Sequence, residues 1–176
     1  MALNYENLDD RTRAFMSDEI ARDIASGTLY KSKRFTEQGI AAWPGLLDSA
    51  VNEHDDSWLA NEIQRAGYMR THEERNRDGV VSQVKVPVTA GATLSEGEFN
   101  RFYARGVCRR AVEDGIEGVI AYRARHSDNT RPESEAIVGK TFNANSLLAD
   151  LRSSQGMETV LGLPPGPNSG LSVRLP

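Results

Sequence analysis

Three histidines, one cysteine and a few closely spaced carboxylates are the side chains with which this sequence could do chemistry. His54, His72 and His126 lie far apart, each beside charged or polar residues. None sits in an HxxxH, HxH or CxxC arrangement, the spacings that let one element present two ligands to a metal. No metal site and no cofactor is expected. Cys108 would need a nearby base and an accessible, polarised position to act as a nucleophile. It stands inside a helical stretch, where a small buried apolar role is the commoner use. His126-Ser127-Asp128 has the residue types of a hydrolytic triad, but neighbours in sequence cannot line up as a relay, and the run reads as a turn. Glu133 and Glu135 flank Ser134 and would share a strand face. Paired carboxylates do acid–base work only in a pocket that shifts their pKa values, and with Arg131 adjacent they read as ion-pairing residues. The glycines of the tail are followed by neither GKS nor GKT, nor by a helix, so they form no phosphate loop. The sequence predicts a protein that is not an enzyme and works by contact.

The contact chemistry it offers is basic. Arg101, Arg105 and Arg109 fall at i, i+4 and i+8 and form one ridge on a helix. Arg123 and Arg125 share one face of the strand that follows, because side chains alternate. From Phe99 to His126 six arginines stand against Glu113, Asp114 and Glu117. Two readings stand for the ridge. It is either a solvated face with ordinary, weak ion pairs, or a docking surface for a carboxylate-rich or phosphate-rich partner, which the planar guanidinium suits.

The element that must carry this ridge is LSEGEFNRFYARGVCRRAVEDG. Ser95 and Glu98 have the spacing of a capping box, with Leu94 and Phe99 as its hydrophobic staple, so the helix is expected from Ser95 to Asp114. Phe99, Phe102, Tyr103, Val107 and Ala111 make its apolar stripe, and Gly115 ends it. Val119 to Tyr122 reads as a short strand. Upstream, a helix is expected over residues 7–26, with Phe15, Met16, Ile20 and Ile24 inward and Gly27 as its stop. Thr36 to Asn52 is expected to break at Trp43 and restart with Pro44 at a first helical position. Asp55 or Asp56 caps a helix to Ala66. Residues 70–79, RTHEERNRDG, contain no apolar side chain and read as a mobile loop or boundary. Val80 to Val88 reads as a strand in which Pro87 argues for an edge or terminal position. Downstream, a short strand is expected at Ala136–Val138, and a helix capped by Asn143 or Asn145 carries Leu147, Leu148 and Leu151. In the tail, Leu171, Val173 and Leu175 alternate with polar residues, the pattern of a half-buried strand. Its expected place is a sheet edge, of this chain or of a neighbouring subunit.

The pattern is α+β, a helical N-terminal half (1–69) and a C-terminal half (80–176) with a central helix packed on a small sheet, the charged stretch 70–79 lying between. At 176 residues the chain fits one compact domain. The net charge of −4 is uneven. Through Tyr68 there are twelve acidic and seven basic residues, against thirteen and fourteen beyond. Tight duplex DNA binding is therefore not expected. The start, MALNYENLDDR, has neither a basic nor an apolar leader segment, no apolar run reaches membrane-spanning length, and one cysteine allows no internal disulfide. These point to a soluble protein made in the cytoplasm.

Two segments, TLSEGEFNRFYARGVCRRA and GLPPGPNSGLSVRL, resemble uncharacterised proteins of tailed bacteriophages and prophages. The resemblance covers much of the C-terminal half and assigns no functional residue. It implies a virion-associated or assembly role, at the head, neck or tail, exercised through contacts with other protein subunits in a homo- or hetero-oligomer. The competing expectation is a cytosolic binding or regulatory module acting on nucleic acid or a partner protein.

Overall fold

A computed structural model describes residues 3–125, 132–164 and 169–176. The expected turn at His126-Ser127-Asp128 and the tail residues Pro165 and Pro167 lie outside the described residues, as does the side chain of Glu133.

Three helices form the N-terminal half, and each starts on a side-chain cap. Asp9 caps α1 (Asp10–Ala25) by accepting from the Thr12 amide. Thr36 caps α2 (Glu37–Glu53) through Gly39, and Asp55 caps α3 (Asp56–Arg65) through Trp58. The expected break in α2 does not occur: Pro44 lies inside a continuous helix. Proline removes one backbone bond there, but Trp43 and Leu47 on either side are fully buried, and the Trp43 indole donates to the Tyr30 carbonyl at 2.9 Å. Packing outweighs the missing bond.

Residues 70–79 are not a loop. Most of them form β1 (His72–Arg77), which turns back into β2 (Val80–Lys85) as a two-stranded antiparallel hairpin. The central helix, α4 (Ala90–Glu113), begins five residues before the expected cap. Ser95 is therefore mid-helix and fully buried, and its hydroxyl donates back to the Gly91 carbonyl at 2.9 Å. Neither the capping box nor the staple is formed. The added turns are held by packing, since Gly91 lies close against Ile63 of α3.

After α4 come β3 (Gly118–Arg123), the short α5 (Pro132–Glu135), β4 (Thr141–Asn143), α6 (Ala144–Ser153, capped by Asn143) and β5 (Leu171–Arg174). The strand expected at 136–138 is absent; that segment turns, and the pairing falls on β4. β3 is the centre of an antiparallel sheet with order β4-β3-β5. The fold is α+β, with α4 lying against α1, α3, α6 and this sheet. Where α1 crosses α4, residue 106 must be glycine-sized. A Cβ there would stand 2.7 Å from Met16 and 3.0 Å from the Thr12 carbonyl. One hydrophobic cluster runs through both halves, from Met16, Trp43 and Leu59 through Phe102 to Val119, Leu147 and Val173.

Candidate functional site

The arginine ridge faces inward. Arg105 is fully buried between two carboxylates of α1 that are themselves buried, Glu19 and Asp23. Its Nε donates to Glu19 at 2.8 Å, and its two terminal nitrogens reach Asp23 at 2.6 and 2.9 Å. The guanidinium also stacks over Phe102, 4.8 Å from the ring centre. Arg152 of α6 grips Glu19 from the other side at 2.5 and 2.9 Å, and Arg109 bonds Asp18 at 3.1 Å. Burial pushes the Glu19 carboxyl up, but the bonds and charges of Arg152 and Arg105 outweigh it and hold it below the usual range. Arg101 is buried too, and donates to the carbonyls of Ser154 and Met157, both at 2.7 Å. The expectation of a docking surface at Arg101 and Arg105 is thus corrected: their forks are used on groups of the same chain. Helical periodicity gives the ridge but not what lies opposite it.

The other expected contact residues are also engaged internally. Arg123 pairs with Glu135 at 2.7 Å, and Arg125 with Glu96 at 3.1 Å. Leu171 and Val173 are fully buried in β5, and Leu175 packs on the same core. Of the two sheet edges open to the tail, it takes the one in its own chain, β3.

What stands free instead is the β1–β2 hairpin. Its register runs from His72↔Lys85 to Arg77↔Val80, closed by Asp78 and Gly79 with φ of 53° and 82°. Positive φ at both central residues is the requirement of a two-residue type I′ turn. Only Glu73 and Val84 are partly covered. Glu73 anchors the base, receiving two bonds of 2.8 Å from Arg34. Val80 and Val81, which point to opposite faces, are 68% and 61% exposed. The hairpin carries three acids (Glu73, Glu74, Asp78) and three bases (Arg75, Arg77, Lys85), so it has no net field.

A second feature lies at the start of α4. A cleft of about 270 Å³ opens between α4, the segment around Tyr30 to Arg34 and the chain after α6. Tyr30, Leu94 and Pro164 give it apolar walls; Glu98 and Arg101 bring charge. Asp150 fixes the outer wall by accepting from the amides of Val160 (3.0 Å) and Leu161 (2.7 Å). The Tyr30 ring packs close against Gly156, where a Cβ would come within 2.3 Å of it. Glu98 is 7% exposed, and among the described residues nothing donates to its carboxylate. Burial pushes its pKa up to about 7; Arg101 and Arg105 pull it down, and Asp23 adds to the rise. Reading Glu98 as a cap placed it at the surface. The signal against that was its position between the apolar stripe and the arginines, three residues before Arg101.

The raised pKa carries a sign. The folded state holds the Glu98 proton up to about pH 7, whereas an ordinary glutamate releases it near 4.5. Stability therefore falls as pH rises through that window and is level above it. Asp56, buried at the start of α3 and pushed up to about 6 by burial, acts in the same direction. Glu98→Gln should raise stability at pH 8 by about 2–3 kcal/mol and give no gain at pH 4. Denaturant melts at the two pH values check this; an equal shift at both would disprove it.

The remaining chemical candidates are placed apart. Burial pushes the Cys108 thiol up to about 12, so it is not a thiolate at neutral pH. His54 stacks on Trp58 at 4.1 Å, while His72 sits on the hairpin. Among the described residues no three of His, Cys, Asp or Glu cluster as metal ligands, and no helix is long and apolar enough to cross a membrane. Compared with protein-family models, with curated proteins and with solved structures, the chain has no match in any of the three.

Proposed function

We propose that this chain is a non-enzymatic structural protein of a tailed-phage particle, joined to other subunits through the β1–β2 hairpin. The observation that supports this most is the hairpin's exposure, with valines open on both faces. An isolated two-stranded hairpin is marginal in water. Free strand edges beside exposed apolar residues are surfaces that proteins normally cover or blunt. A strand of another subunit added to the edge would cover this one. The balanced charge favours a protein partner over a phosphate backbone, which would call for an excess of lysine and arginine. The setting comes from the resemblance of the α4 and tail segments to phage proteins.

The test uses Val80→Lys with Val81→Lys. Both side chains are exposed, so stability should change by no more than about 0.5 kcal/mol. Mass spectrometry of purified particles should find the wild-type chain and lose the variant. Absence of the wild-type chain from particles would remove the phage reading. Equal incorporation of the variant would remove the hairpin from it.

A further inference from the structure

The geometry points to the Glu98 cleft as a binding site for a primary ammonium on a short alkyl stem, borne by a lysine side chain of a partner or by a free amine. The argument starts from which polar groups of the cleft are already satisfied. Arg101 donates through its two terminal nitrogens to the carbonyls of Ser154 and Met157, with Leu151 further off at 3.4 Å. Arg34 on the rim is held by both oxygens of Glu73. Glu96 is held by Arg125. Both guanidinium groups are thus already engaged with acceptors of this chain. The group left without a protein partner among the described residues is an acceptor, the Glu98 carboxylate, more than nine-tenths buried on the cleft wall.

A buried acceptor of this kind calls for a donor, and a charged one gains most from a cation. The balance of charge agrees. With Arg34 neutralised by Glu73 and Glu96 by Arg125, Glu98 and the exposed Glu158 face the single charge of Arg101. Arg105 and Asp23, the other charges near Glu98, already pair with each other. The walls then select the rest of the ligand. Tyr30, Leu94 and Pro164 suit methylene groups, and about 270 Å³ admits a chain of a few carbons rather than a folded domain. At neutral pH the incoming cation displaces the proton that Glu98 otherwise retains, so binding strengthens as pH rises toward 8. This site stands independently of the hairpin and of the particle.

Calorimetric titration of the full chain at pH 8 with n-pentylamine, and separately with acetyl-Gly-Lys-Gly-amide, tests it. Saturable binding by either ligand is expected. Glu98→Gln should weaken that binding by at least about tenfold, since a charge-assisted bond is lost. In carboxyl carbon NMR of the wild type, saturating amine should move the Glu98 titration midpoint down. Tighter binding of the tripeptide identifies a partner's lysine, and tighter binding of pentylamine a free amine. The assignment is overturned if neither ligand saturates or if Glu98→Gln binds as well. It is also overturned if the Glu98 resonance does not respond, or if sodium acetate competes for the site.

Discussion

Arg105→Ala should lower stability by about 3–5 kcal/mol, a large share of what holds a domain of this size. The side chain is fully enclosed, and its removal takes from Glu19 and Asp23, both buried, the one cation that bonds them both. Arg152 still reaches Glu19, and Gln155 still donates to Asp23 at 2.8 Å, so the loss falls short of two bare ions. Arg105→Met separates charge from packing. It restores a chain over Phe102 but not the pairing, so it should recover only a minor part of the loss. The penalty should also shrink as pH falls below the ordinary carboxylate range and through the lowered titration of Glu19, because a protonated Glu19 no longer needs a cation. Chemical denaturation of both variants at pH 7 and pH 3 measures each effect. A loss under about 1 kcal/mol at pH 7 would return Arg105 to the status of a surface ion pair.

This network also explains which parts of the fold were legible. The ridge at 101, 105 and 109 followed from helical spacing; the partner it needed did not. Glu19 and Asp23 stand four apart on α1, a complementary acidic row in plain sequence. What the chain could not announce was that α1 lies on α4, a contact made possible by Gly106. The caps at Thr36, Asp55 and Asn143 were readable, the last two each as one of a pair of candidates, because each accepts from the amide three residues on; Asp9, expected inside a helix starting at residue 7, caps it instead. The false cap at Ser95 failed for the opposite reason. Its local signature is sound, but burial of the preceding turn against α3 extended the helix past it.

The hairpin's first strand and the cleft were missed through different physics, whereas β2 falls inside the strand expected from Val80. Strand β1 has no apolar residue, so period-two hydrophobicity had nothing to register, although Asp78-Gly79 is a hairpin-turn dipeptide. A strand that buries neither face carries no burial pattern in its residues. Glu98 is the converse case, a charged residue at a covered position. Sequence treats an acid near a helix start as a cap or a surface group. Only the surrounding chain, with Tyr30 on one side and the segment held by Asp150 on the other, turns it into the wall of a cleft.

Deleting residues 170–176 should unfold the isolated chain rather than merely dissociate an assembly. β5 pairs with β3 from Ile120↔Arg174 to Arg123↔Leu171, and β3 has β4 on its other side. Removing β5 would therefore expose one whole edge of the central strand. Leu171 and Val173 are fully buried, and returning two such side chains to water costs about 3–6 kcal/mol before any hydrogen bond is counted. The polar links go with them. Asn100 of α4 donates to the Leu171 carbonyl at 2.8 Å and accepts from the Ser172 hydroxyl at 2.6 Å. Asn7 accepts from the Leu175 amide at 2.8 Å, and Glu6 pairs with Arg174 at 2.8 Å, so the tail also pins the segment that leads into α1. Losing all of these together approaches the whole stability of a small domain. The double variant Leu171→Ser with Val173→Ser should weaken the fold in the same direction without shortening the chain. Circular dichroism and a thermal melt decide it. A truncated chain that melts as the full chain does, and fails only in assembly, would place the native partner of this strand on another subunit.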